Sequence, residues 1–91
     1  MSDASASVTI QNVRGLHARA AAKFCDCASQ FEATIRVMKD GLSASGCSLM
    51  ALLMLGADRG STVEVTATGP DAQAAVDAIC ALISEKFGEP A

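Results

Sequence analysis

Tryptophan and tyrosine are absent from this 91-residue chain, and three phenylalanines are its only aromatic residues. That leaves almost nothing on which a nucleic-acid base could stack. Basic residues are also scarce, seven against ten acidic ones, and a net charge of −3 provides no basic face for a phosphate backbone. Nucleic acid is therefore excluded as an expected partner. Long apolar runs are missing as well: the longest, Leu49 to Leu55, falls far short of the about 20 residues of a membrane span. Met1 to Ser7 show neither the basic start nor the apolar stretch of a secretion signal, so the expected location is the cytoplasm, with no membrane insertion.

What is present suits one domain, 1–91, with a single modest core: 51% of the residues are hydrophobic. Residues 1–6 and 88–91 read as mobile ends. Four cysteines could suggest disulfides, but without a secretion signal they read as free thiols. Cys25, Cys47 and Cys80 sit among small apolar residues at helix-like positions. Cys25 and Cys27, two apart on a helix, point to different faces, which argues against a metal site.

Apolar periodicity separates the elements. Val8 and Ile10, then Ile35 and Val37, alternate with polar neighbours as half-buried strands do, and Val63, Val65 and Ala67 give the clearest strand pattern. Asp40-Gly41 predicts a tight hairpin into a short strand, Leu42 to Ser45. Ala20, Phe24, Cys27, Ala28 and Phe31 recur at helical steps. A short second helix is predicted from about Ser48 to Leu55, stopping at Gly56. A third begins at Pro70-Asp71, with Ala72, Val76, Ile79, Cys80 and Ile83 as its buried stripe. The order βαββαβα implies an α+β fold, an antiparallel sheet with helices on one face.

The only histidine stands where the first strand-like segment gives way to the first helix, in Gly15-Leu16-His17-Ala18-Arg19. The first amides of a helix lack internal partners and carry the positive end of its dipole, so that place attracts anions. A neutral imidazole there has a lone pair for nucleophilic attack, and the Arg19 fork suits phosphate oxygens. His17 is thus a candidate phosphoryl acceptor, steadied by the amides of Ala18 and Arg19 and the Arg19 side chain. On residue chemistry alone, a lone histidine at a helix start is more often a surface or capping residue than a reactive one. Ser48, similarly, reads first as a helix N-cap.

Gly15 to Phe24 resembles the active-site segment of HPr, the histidine phosphocarrier family of the bacterial phosphoenolpyruvate-dependent phosphotransferase system. Ser45 to Leu55 resembles that family's second signature and Gly60 to Gly69 its last strand, so the likeness spans about residues 7 to 87. Ala20 stands where the family usually has proline, which suggests an α-proteobacterial or nitrogen-type branch.

The resemblance implies an HPr-like open-faced β-sandwich, four antiparallel strands under three helices. It implies a carrier rather than a turnover enzyme: His17 takes a phosphoryl group from phospho-enzyme I and passes it to a histidine of an enzyme IIA protein, with no cofactor or metal. It also implies that Ser48 is a regulatory phosphorylation site for HPr kinase/phosphorylase, and that Leu49, Met50 and Leu53 form a partner-docking surface. A transient carrier of this kind needs only to be a monomer. Two rival readings are a purely regulatory binding protein with an idle His17 and a small ferredoxin-like metal module.

Overall fold

Alternation in the sequence becomes the two faces of a sheet. The computed structural model describes residues 3–91, in which β1 (Asp3–Thr9), β2 (Thr34–Lys39), β3 (Leu42–Ser45) and β4 (Thr62–Thr68) form one antiparallel sheet in the order β1-β4-β2-β3. Register places Ala6 opposite Val65, Val65 opposite Val37 and Val37 opposite Ala44, so one apolar row crosses all four strands. The other face carries Ser5, Ser7, Thr62, Glu64, Thr34 and Arg36, polar residues one step out of phase. Between β2 and β3 lies the predicted hairpin, with Asp40 and Gly41 both at positive φ (49° and 82°), the pair of left-handed conformations a two-residue turn requires.

Three helices, α1 (Ala18–Ala28), α2 (Leu49–Met54) and α3 (Ala72–Ser84), cover the apolar face. α3 packs on β1 and β4, α2 against β3, and α1 against both other helices. The core they close includes Phe24 of α1, Leu52 of α2 and Ile79 and Ile83 of α3, all at most 1% exposed. Burying such side chains is worth about 1.5–3 kcal/mol each.

Several expectations are corrected. Residues 3–6 are not a mobile end: they belong to β1, paired from Asp3 opposite Thr68 onward, because Ala4 and Ala6 supply small inward residues against α3 and β4. Residues 1 and 2 lie outside the described residues. The 88–91 segment is also placed against the body of the domain, since a single 3-10 turn (Lys86–Gly88) buries Phe87 completely. The α1 stripe is Ala20, Ala21, Phe24 and Ala28; the helix ends before Phe31, and Cys27 and Phe31 are only half-buried. In α3, Ala75 takes the place expected of Cys80, which is half-buried at the stripe's border. Cys47 is on no helix and lies exposed in the β3–α2 loop.

Candidate functional site

The site is built where β1 ends and α1 begins. After Ile10, which is buried, the chain turns through Asn12 to Gly15, and the Gly15 amide donates to the Asn12 carbonyl (3.1 Å). Gly15 adopts φ 65°, and the amide of Leu16 then bonds the Ala57 carbonyl at 2.9 Å, which fixes the approach to the helix. Leu16 is buried, so the next residue is turned outward at the helix end. That residue is His17, the N-cap of α1 in extended conformation (φ −80°, ψ −179°), whose carbonyl accepts the Ala21 amide at 2.8 Å.

The His17 side chain makes no capping bond, so it does not occupy the amides of Ala18 and Arg19 at the first positions of the helix. No acidic residue stands in this first turn. The arrangement is an unfilled anion-attracting end of an eleven-residue helix with an imidazole at its mouth. Arg19 is exposed and has no carboxylate partner among the described residues. A cleft of about 400 Å³ brings together Val13, Arg14, His17, Arg19 and residues 89–91.

Two residues of this cleft region went unnoticed in the sequence. Glu89 places Oε2 2.5 Å from His17 Nε2, with the two side chains only 14% and 15% exposed. Asn12, fully buried, donates its Nδ2 both to the Gly15 carbonyl (2.7 Å) and to Glu89 Oε1 (3.1 Å), while its Oδ1 has no partner. One carboxylate therefore bridges the imidazole and a buried amide. Burial alone would push the Glu89 carboxyl up, but the hydrogen bonds from His17 and Asn12 and the positive charge of His17 and Arg14 outweigh it and hold the group below its ordinary value. An ionised carboxylate can only accept, so Nε2 must carry the hydrogen, and in the neutral ring the free lone pair is on Nδ1.

Glu89 is carried to His17 by the segment before it. Phe87 anchors in the core, Lys86, Phe87 and Gly88 all have positive φ, and Lys23 Nζ of α1 donates to the Phe87 carbonyl at 2.6 Å. The Val13 amide also donates to the main-chain oxygen of Ala91 (3.2 Å). No local spacing pairs residues 17 and 89; the only signals were a buried-type phenylalanine followed by a glutamate, and an asparagine at the turn before the histidine.

The remaining predicted residues sit apart, on α2. Ser48 is its N-cap, and Oγ accepts the Ala51 amide at 3.2 Å. Leu49 and Met50 are exposed (44% and 68%), but Leu53 is half-buried against the core; Met54, at 75%, is the third apolar side chain facing outward. Leu52 and Leu55 form the buried face of α2, with Leu53 one helical step beyond Leu52 and Met54 one step before Leu55, on either side of it.

Known proteins can now be set beside this geometry. A family model described as the PTS HPr component phosphorylation site matches residues 4–85. Among curated proteins, the phosphocarrier protein NPr of Shewanella violacea is 49% identical over 82 residues, 90% of either chain. The phosphocarrier protein HPr of Cupriavidus necator is 44% identical over 89% of this chain and 91% of its own. The crystal structure of HPr-C-His from Thermoanaerobacter tengcongensis superimposes with a TM-score of 0.92 at 39% identity, covering 97% of this chain and 99% of that one.

Proposed function

The chain belongs to the HPr family of phosphotransferase-system phosphocarriers, and from that premise we propose that His17 is its phosphoryl acceptor, charged by phospho-enzyme I and discharged to a histidine of an enzyme IIA protein. The observation that carries the reading is the imidazole at the N-terminus of α1, whose side chain leaves the first helix amides uncapped, with Arg19 lining the same cleft. In the forward step the His17 lone pair attacks phosphorus, a nitrogen–phosphorus bond forms, and the bond to the donor's histidine breaks with its electron pair returning to that nitrogen. The phosphoryl oxygens then lie where the Ala18 and Arg19 amides and the Arg19 guanidinium stabilise their charge, in transit and at rest. The reverse geometry serves delivery to enzyme IIA. The protein is regenerated by its partners, so it is a substrate of theirs and not an enzyme with turnover of its own.

α2 supplies the second half of the proposal. Leu49, Met50 and the half-buried Leu53, joined by the exposed Met54, give partners an apolar contact on the helix packed beside α1. Ser48 would take a regulatory phosphate from HPr kinase/phosphorylase: at the N-terminus of α2 its added charge would meet free amides and repel an acidic docking partner. The carrier acts as a monomer in the cytoplasm.

The test is phosphorylation by phosphoenolpyruvate and enzyme I, run beside His17→Ala and Ser48→Ala. An acid-labile phosphate lost only in His17→Ala supports the carrier reading. A wild-type protein that accepts no phosphate from a cognate enzyme I overturns it and leaves a regulatory binding role in its place.

A further inference from the structure

We propose that Glu89 is a positioning residue for the phosphoryl step: it fixes the hydrogen of His17 on Nε2, directs attack through Nδ1, and neutralises the positive ring that phosphorylation creates. The inference rests on His17 being the acceptor. Its basis is geometric. Glu89 Oε2 sits on His17 Nε2, Glu89 Oε1 is held by the fully buried Asn12, and Asn12 is itself held by the Gly15 carbonyl two residues before the histidine. Both oxygens of the carboxylate are thus engaged, which restrains its rotation as well as its position. The segment carrying it is tied down by the buried Phe87 ring and by the Lys23 bond to the Phe87 carbonyl.

The electron count shows where the carboxylate acts. Before transfer, neutral His17 has a hydrogen on Nε2 and a lone pair on Nδ1. Attack makes the Nδ1–phosphorus bond, and the donor's nitrogen–phosphorus bond breaks with its pair staying on the donor. No proton moves. The donor ring, protonated on its other nitrogen, becomes a neutral imidazole, and the His17 ring, still bearing Nε2–H, acquires its positive charge. An anion on Nε2–H favours that charged product and the transition state leading to it, from the ring nitrogen opposite the one that bonds phosphorus. Without the carboxylate the hydrogen is free to sit on Nδ1, where it blocks the nucleophile.

The experiment uses the full chain. Nitrogen-15 NMR of the imidazole reads the tautomer of His17, and the phosphorylated fraction at fixed phosphoenolpyruvate-to-pyruvate ratio with enzyme I reads the equilibrium. Wild type is expected to be Nε2–H. Glu89→Gln is expected to populate the Nδ1–H form and to lower the ratio of phosphorylated to free carrier about fivefold, the scale of one charge-assisted hydrogen bond reduced by partial exposure. Glu89→Asp, which keeps the charge, restores part of both. Glu85→Gln, at the exposed end of α3, changes neither. A tautomer and an equilibrium both unmoved in a folded Glu89→Gln overturn the proposal. If instead wild type takes no phosphate while Glu89→Gln does shift the tautomer, the carrier reading fails and the contact is left without a transfer step to serve.

Discussion

Replacing Gly15 by alanine should destabilise the domain by forcing apart the two segments that meet at the site. A Cβ at this position would lie 2.7 Å from the Ala57 carbonyl oxygen and 2.9 Å from Asp58 Cα, and both are backbone atoms with no rotamer to escape into. The residue also sits at φ 65°, where a side chain costs about 1 kcal/mol or more. Relief requires the two segments to separate, and the Leu16 amide bond to Ala57, at 2.9 Å, crosses that same gap. Losing it adds about 1 kcal/mol, and the displaced packing around buried Leu16 and Ala57 about as much again. The sum is about 3 kcal/mol. For a domain of this size that corresponds to a fall in Tm of roughly 12–24 °C. With no tryptophan or tyrosine, unfolding in urea is best followed by far-ultraviolet circular dichroism. A Gly15→Ala protein within about 0.5 kcal/mol of wild type, with the same urea dependence, would refute the reasoning, because it would mean that residues 57–58 yield freely.

Phe87→Ala should cost about 3–5 kcal/mol, as truncation of a fully buried aromatic does, and calorimetry would show it; the same variant should loosen the Glu89 contact, seen as altered His17 resonances. Because the Glu89 carboxyl is held below its ordinary value of 4.5, its ionic contribution is fully present above that value and is lost only as pH falls through the lowered one. In an acid titration the side-chain carboxyl carbon signal of Glu89 itself should therefore stay in place through the usual carboxylate range and move below it; a Glu89 midpoint above 4.5 would contradict the assignment. Ser48→Ala removes the bond accepted from Ala51 and should destabilise the protein by about 1 kcal/mol in urea unfolding, while Ser48→Asp, which can still cap, should keep most of that stability.

Much of this fold was legible because local rules and tertiary packing agree. Alternation in Thr62–Thr68 found an inner strand, Asp40-Gly41 the hairpin, Ser48 the residue capping α2, and Pro70-Asp71 the start of α3. β1 was read too short because alternating serine and alanine carry little hydrophobic contrast, although Ala4 and Ala6 do face inward. His17 was visible from its place at a strand-to-helix junction. Glu89 was not, since no pattern within a helix or strand reports a contact 72 residues away, and a glutamate near a proline and a glycine reads as tail. How far Leu53 is covered was not legible, because a six-residue helix leaves the exposure of its flanking residues to the elements packed around it.

The 72-residue separation between His17 and Glu89 also sets an order of events in synthesis. A ribosome delivers the histidine early and the carboxylate about seventy residues later, and β1 waits almost as long for β4, the strand it pairs with. An emerging chain therefore holds a finished α1 sequence and an ungoverned imidazole for most of its translation. Such long-range closure slows folding relative to local contacts. It also means that a nascent or prematurely terminated chain ending before residue 87 would lack both the aromatic anchor and the carboxylate, so the His17–Glu89 contact forms only as the core is completed.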